Sequence, residues 1–256
     1  MAYFEQLGPD RFLPTEHVSG AWDEAQQHIG PSIGLLTHVV EAEHGARRPD
    51  RLTPTRLSFE IWGTAPLEEM TARVRVVRPG RTIELVEGEL RCAGRTLLTL
   101  RAWLLQRTDT HALAASPFPR IPAPEEMEPF DATSVWPGGY IASAEVRRRQ
   151  QEPGRAQLWV RTRQDLLDGV PVSPLARAAS LFDMVNGLTV RADPREVAFP
   201  NVDLTAHLLR TPAPGWLGYD TSVSFGDEGA GLTHSVVHDA DGPLGSLSQA
   251  LTVRPN

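Results

Sequence analysis

Lysine is absent from this chain; all 25 basic residues are arginine. That excludes a lysine Schiff base and the lysine of a phosphate-binding P-loop. Arginine offers a rigid donor fork suited to phosphate oxygens, although coding bias in a GC-rich genome is the plainer account of the replacement. Cysteine is almost absent too. Cys92 stands alone, so neither an internal disulfide nor a cysteine zinc site can form. It sits in LRCAGRTLL with no histidine near it, which reads as a structural thiol. No run of eighteen apolar residues occurs, so a membrane span is not expected. The opening MAYFEQLGPDRF has no basic start and no apolar stretch, so a secretory leader is not expected and the cytoplasm is the default location. Positive charge is in deficit, 25 basic against 32 acidic residues for a formal charge of −7. With no basic tail, this argues against a nucleic-acid partner.

What remains is ample apolar material. With 41% hydrophobic residues over 256, the chain can build one large β domain or two of common size. Residues 1–21 read as an entry segment with a short strand around 12–18. Gly30 to Glu41 has apolar residues at helical spacing, and Gly30 and Gly34 leave one side of that helix bare for a close approach. EHGARRPDR then reads as a polar loop. From Thr53 the period changes to two, giving strands over 55–62, 70–77, 82–90 and 97–105 with glycine turns between them. Such long alternating strands fit an antiparallel sheet with one covered face. Residues 108–137 are rich in proline and acid and lose all period, which reads as an extended linker packed along the surface.

The pattern then starts again. Strands are expected over 135–147 and 156–163, a helix over Pro174–Asn186 stopped by Gly187, and four strands over 202–209, 217–225, 232–237 and 244–253. TRLSFEIW overlays VDLTAHLL at a shift of 147, and AGRTLLTLRAWLL overlays DGPLGSLSQALTV at 148. One helix followed by four strands, twice, indicates an internal duplication. The expected organisation is a first repeat over 1–107, a linker over 108–130 and a second repeat over 131–256. In the overlay Gln249 falls on Arg101 and Asn201 on Pro54, and the first helix has no acid before Glu41. Any site built from Asp183, Asn201 and Gln249 therefore belongs to the second half alone.

The markers Ala21-Trp22-Asp23, His28-Ile29-Gly30, Phe182-Asp183, Asn186-Gly187, the stretch from Asn201 to Thr205, Gly242-Pro243 and Gln249 resemble, in order and spacing, the acyl-CoA thioesterase II (TesB-like) family and its thioesterase-like relatives. The resemblance covers nearly the whole chain. It implies an α+β double hotdog: two tandem repeats of a helix wrapped by an antiparallel sheet, forming a pseudo-dimer with one continuous sheet. It also implies hydrolysis of an acyl-CoA by an activated water, held by an aspartate on the second helix, a hydroxyl residue at the start of the next strand and a glutamine on the last strand. Carried across, these positions become Asp183, Asn201 and Gln249. Asn201 departs from the pattern, although its amide can donate and accept.

These residue types suit the chemistry. A desolvated carboxylate can take the proton of water, the amides can orient that water, and helix N-terminal N–H groups can receive the oxyanion. A nucleophilic serine is not expected. No cofactor and no metal are expected, with coenzyme A entering only as part of the substrate. His207, His234 and His238 fall on strands without metal spacing, and His28 reads as a loop or surface residue. Asp203, two residues from Asn201, is the second-choice acid. The six tryptophans read as core and sheet packing, with an acyl tunnel as the other use. Arg147 to Arg149 read as a solvated edge or, less simply, a coenzyme A phosphate contact. A non-catalytic acyl-CoA or acyl-chain binder on the same scaffold is the alternative function. A hotdog hydratase or dehydratase is disfavoured because the second helix carries no histidine. Exposed sheet edges offer a route to homo-oligomers.

Overall fold

The computed structural model describes the whole chain, Met1 to Asn256. It opens with a hairpin, β1 (Ala2–Gly8) and β2 (Arg11–Pro14), rather than the single strand expected around 12–18. Tyr3, Phe4 and Phe12 are all buried, Tyr3 and Phe4 on opposite faces of β1. Gly8 to Arg11 turns the chain, and Thr15 caps a short 3₁₀ turn over Glu16–Val18 by accepting from the His17 N–H.

Helix α1 (Ile29–Arg47) is the central helix of the first half. It runs six residues beyond the expected end at Glu41. His44, read as loop, is buried against the carboxylate of Glu84 (3.0 Å) and accepts the Leu52 N–H through Nε2 at 3.0 Å. Arg47 donates to both oxygens of Glu84 and to Glu43 one turn back. Burial pushes the Glu84 carboxyl up, but the bonds from Arg47 and His44 outweigh it and hold it below its usual range. These partners carry the helix through a segment whose charge looked like a loop.

Strands β3 (Thr53–Ile61), β4 (Met70–Arg78), β5 (Ile83–Cys92) and β6 (Arg95–Leu105) follow within a residue or two of their expected limits. Their alternating burial is that of a sheet with one face on the core. Gly88, midway along β5, leaves room for Leu36 and Val40 of α1; a Cβ there would stand 2.9 Å from Leu36 Cδ1. Cys92 is buried at the end of β5 against the carbonyls of Pro66 and Glu68.

The linker is not structureless. Pro122 O accepts from Trp159 Nε1 at 2.8 Å, Asp241 O from Arg120 at 2.6 Å, and Ile121 and Met127 are buried. It ends in β7 (Glu128–Phe130), an edge strand. The second half continues with a helical turn, α2 (Gly139–Ala142), then β8 (Ala144–Glu152), β9 (Arg155–Thr162), β10 (Asp165–Leu167), two short helices α3 (Pro174–Ala179) and α4 (Met184–Leu188), a short strand β11 (Val197–Ala198), then β12 (Asp203–Leu208), β13 (Leu217–Phe225), β14 (Ala230–Asp239) and β15 (Gly242–Thr252). A final short strand, β16 (Arg254–Pro255), pairs with β11.

One 14-stranded sheet runs through both halves in the order β10-β1-β2-β4-β5-β6-β3-β12-β15-β14-β13-β9-β8-β7. The ladders are antiparallel except for β1 with β10, which is parallel. The sequence halves meet at β1 with β10 and, in the middle of the sheet, at β3 with β12, where Ser58 lies opposite Thr205, their hydroxyls 2.8 Å apart. These two residues are 147 apart, the shift of the first overlay, so a local two-fold axis passes between them. The ladders extend the same shift to the last strand of each half. Ser58 pairs with Arg101 and Thr205 with Ser248, so the counterpart of Gln249 is Ala102. The expected match to Arg101 was one residue out, and a one-residue slip exchanges the two faces of a strand. Arg101 is exposed, whereas Ala102 and Gln249 are both buried.

The bare side of α1 receives the second half. A Cβ on Gly34 would stand 2.6 Å from Ser180 Cβ and 2.9 Å from Ala176 O, and one on Gly30 would meet the Tyr140 hydroxyl at 2.5 Å. Both glycines let another segment come close, as their spacing suggested. No helix is long and apolar enough to cross a membrane.

Candidate active site

The helix expected over Pro174–Asn186 is broken, and the break holds Asp183. Ser173 caps α3 by accepting the Ala176 N–H at 3.0 Å, with Pro174 at the first position. After Ala179 the chain tightens, as the N–H groups of Leu181 and Phe182 reach back only three residues, to Ala178 and Ala179. Two buried phenols take carbonyls at the break: Tyr140 donates to Ser180 O at 2.5 Å and Tyr219 to Leu181 O at 3.0 Å. Asp183 lies there with φ −83° and ψ 0°, in the sparsely populated bridge region, and α4 starts after it. Gly187 is inside α4 rather than capping the helix. Its carbonyl accepts from Trp136 Nε1 at 2.8 Å, and the indole lies where its side chain would be.

The three residues from the second half converge. Asn201 pairs with Leu251 just before β12, and its Nδ2 donates to Asp183 Oδ1 at 2.7 Å. Gln249 is buried on β15 on the same face as Leu247 and Leu251, and its Nε2 donates to the same oxygen at 2.9 Å. The amides therefore bind the carboxylate itself. Both are on Oδ1, and Oδ2 takes no hydrogen bond from the protein. Burial pushes the Asp183 carboxyl up to about 7, against the two amide bonds, which pull it down. Gln249 Oε1 and, across the ladder, Thr233 Oγ1 are buried without a protein partner, as is Asn186 Oδ1 of α4. Asp203 is elsewhere: its carboxylate accepts the Ala250 N–H at 2.5 Å and is partly exposed.

His28 belongs to this site, contrary to its expected loop or surface role. It caps α1, its Nδ1 accepting the Gly30 N–H at 3.1 Å, and the ring packs on Tyr140 at 4.3 Å between centroids. Nδ1 is 3.7 Å from Asp183 Oδ2 but, being an acceptor, cannot donate to it. Burial pushes the imidazole down to about 3, so the ring is neutral with its proton on Nε2. The sequence signal was its place in the His28-Ile29-Gly30 marker at the start of a helix.

Gly30-Pro31-Ser32-Ile33-Gly34 has the G-x-S-x-G spacing of a serine nucleophile. Here it lies within α1 instead of on a strand-to-helix turn. The Ser32 hydroxyl is buried and bonds only to Gln27, at 3.5 Å, with no imidazole in reach. The two glycines serve helix packing.

Two cavities share the Asp183 carboxyl. One, of about 40 Å³, is walled by Trp136, Ile141, Met184, Leu188 and Phe199, all buried. The other, of about 370 Å³, is a groove between the halves lined by Trp22, Gln26, Ile29, Trp62 and Val202. Trp22 and Trp62 are 50% and 65% exposed, so these two tryptophans border an opening rather than pack a core. Trp136 and Trp159 are buried, as expected. The three-arginine run is not simply a solvated edge either. Arg148 stacks on Phe130 at 3.5 Å and donates to Leu188 O at 3.1 Å, with no carboxylate partner.

Known proteins agree with this architecture. Residues 18–105 match the profile of the acyl-CoA thioesterase N-terminal domain, and residues 114–253 that of the C-terminal domain. No curated protein matches the chain. Among solved structures, a candidate thioesterase II from Thermobifida fusca superposes with a TM-score of 0.75 at 23% identity, over 99% of this chain and 95% of that one. A hot dog fold protein from Alicyclobacillus acidocaldarius superposes at 0.75 and 18% identity, over 98% and 95%. The acyl-CoA thioesterase II TesB2 of Mycobacterium marinum gives 0.68 at 16% identity, over 99% and 96%. These likenesses establish the double hotdog fold, and the two matched profiles, spanning most of the chain, establish that it belongs to the acyl-CoA thioesterase family.

Proposed function

We propose that this protein hydrolyses an acyl-CoA thioester with a water activated by Asp183. One observation carries the reading: both amides bind Oδ1, leaving Oδ2 of a carboxyl poised near neutrality as the free basic oxygen at the cavities. Oδ2 takes a proton from water as the hydroxide oxygen bonds to the thioester carbonyl carbon. The carbonyl oxygen becomes an oxyanion, and the N-terminal end of α1, at Ile29 in the groove, offers the Ile29 N–H and a favourable dipole to receive it, the Gly30 N–H being held by His28. Collapse breaks the carbon–sulfur bond. The proton held by Asp183 passes to the departing thiolate, giving free acid and coenzyme A and restoring the carboxylate.

Asn201 fits this scheme despite its departure from the family pattern, because the carboxylate needs a donor and the amide supplies one at 2.7 Å. The same departure favours the second reading, a binder that retains an acyl-CoA without cleaving it. Thiol release from a panel of acyl-CoAs separates the two. Turnover by the wild type and none by Asp183→Ala supports hydrolysis. Ligand that co-purifies intact by mass spectrometry, with no thiol released from any ester, supports the binder and removes the hydrolase.

A further inference from the structure

We propose that the acyl group accepted at this site is short, about two to four carbons long, and that the walls of the small cavity beside Asp183 set the limit. The proposal rests on the reading of Asp183 as the reacting centre. Asp183 lines two cavities that share Ala21, Trp22, His28 and Asn201 but differ about ninefold in volume. The groove of about 370 Å³ is bordered by exposed tryptophans and by polar Gln26 and Thr64, a surface suited to the amide-rich arm of a thioester carrier. The other cavity sets five buried apolar side chains, Trp136, Ile141, Met184, Leu188 and Phe199, beside the polar His28, Asp183, Asn186 and Asn201, and those five form the environment an acyl chain seeks.

Its size decides the substrate. A free volume of about 40 Å³ accommodates roughly one to three non-hydrogen atoms beyond the carbonyl carbon, since a single water already needs about 10–15 Å³ on this measure. An eight-carbon chain does not fit unless a wall moves, and the walls are interlocked. The Trp136 ring meets Trp22 edge-on at 4.7 Å and Phe199 at 6.0 Å, while its Nε1 is tied to Gly187 O. Phe199 is completely buried and backs onto Phe225 at 5.7 Å. Leu188 is held from behind, where its carbonyl accepts from Arg148.

The test pairs hydrolysis with binding. Relative kcat/KM is measured for acetyl-, butyryl-, octanoyl- and palmitoyl-CoA, and Kd by calorimetry for the S-ethyl, S-butyl and S-octyl thioethers of coenzyme A, which cannot be hydrolysed. The expected result is a fall of at least about tenfold from butyryl to octanoyl in both series. Leu188→Ala, which enlarges the cavity, moves both optima to longer chains, with Ile141→Ala as the second variant if the first does not fold. Octanoyl or palmitoyl esters turned over as well as butyryl overturn the proposal while leaving the hydrolase reading intact. Short-chain preference among the thioethers without turnover of any ester upholds the cavity limit and sinks hydrolysis. No binding and no turnover sink both.

Discussion

Replacing Asp183 by asparagine separates what this carboxyl does for folding from what it does for chemistry. The folded protein holds the group at about 7, against 3.8 for an ordinary aspartate, because burial opposes its charge more than Asn201 and Gln249 favour it. An acid whose pKa is raised by folding is a liability once ionised. Below about pH 4 it is protonated in both folded and unfolded states and costs nothing. Between about 4 and 7 the unfolded chain ionises first and the penalty grows with pH. Above 7 it levels off at about 4 kcal/mol, from roughly three pKa units at 1.36 kcal/mol each. Asp183→Asn removes the ionisation but keeps an oxygen for both amide donors.

The variant is therefore expected to be more stable than the wild type at about pH 8, by roughly 8–16 °C in melting temperature for a chain of this size. The gap shrinks to a small fraction of that near pH 4. Thiol release falls by about 10²–10⁴, the usual worth of a general base. Thermal unfolding followed by circular dichroism across this pH range, beside an acyl-CoA assay, checks both halves. A variant with the same stability difference at both pH values refutes the electrostatic argument. One that keeps wild-type turnover refutes the catalytic argument.

Gln249→Leu removes a donor that pulls the carboxyl down, so the rising limb of the pH–rate profile moves above 7 and the loss of activity is greater at neutral than at alkaline pH. Tyr140→Phe leaves Ser180 O without its buried donor and costs about 1–3 kcal/mol, read as a lower denaturant midpoint; kcat drops too, because the break that aims Asp183 is loosened. Gly34→Ala sets a methyl against Ser180 Cβ and the Ala176 carbonyl at distances under 3 Å. Overpacking of this kind costs about 1–3 kcal/mol and shows in thermal melts.

The legible parts of the sequence were those governed by local period. Strands with one covered face announce themselves by alternation, so β3 to β6 and β12 to β15 were placed nearly to the residue. The trio Asp183, Asn201 and Gln249 came from the family resemblance, and for Gln249 the pattern agreed, because a polar side chain on the core face of a strand must find a partner. What the period could not show were features made by contacts from far away. The second helix breaks because Tyr140 and Tyr219, each about 40 residues distant, supply hydroxyls to its carbonyls. The first helix runs on because Glu84 waits for His44 and Arg47. His28 was misread because only the folded chain brings its ring to Asp183, across 155 positions of sequence. The Arg101 overlay failed for a different reason: hydrophobic matching tolerates a slip of one, and only the hydrogen-bonded ladder through Ser58 and Thr205 resolves it.

That ladder also explains why a doubled fold has one such constellation. The counterparts of Asn201 and Gln249 are Pro54 and Ala102, both buried, and 147 residues before Asp183 stands Leu36, fully buried. None can donate a side-chain hydrogen bond or ionise. A second desolvated carboxyl would add another penalty of about 4 kcal/mol at neutral pH, so an apolar replacement in the half that does no chemistry stabilises the whole. The first half is still needed, since His28 and Ile29 line the groove at Asp183. One chain should therefore bind one ligand. A calorimetric titration with S-butyl-CoA is expected to saturate at a single equivalent per chain and to show no binding by either half expressed alone. Two equivalents per chain would mean that the first half keeps a pocket around Leu36, and the asymmetry argued from Pro54 and Ala102 would fail.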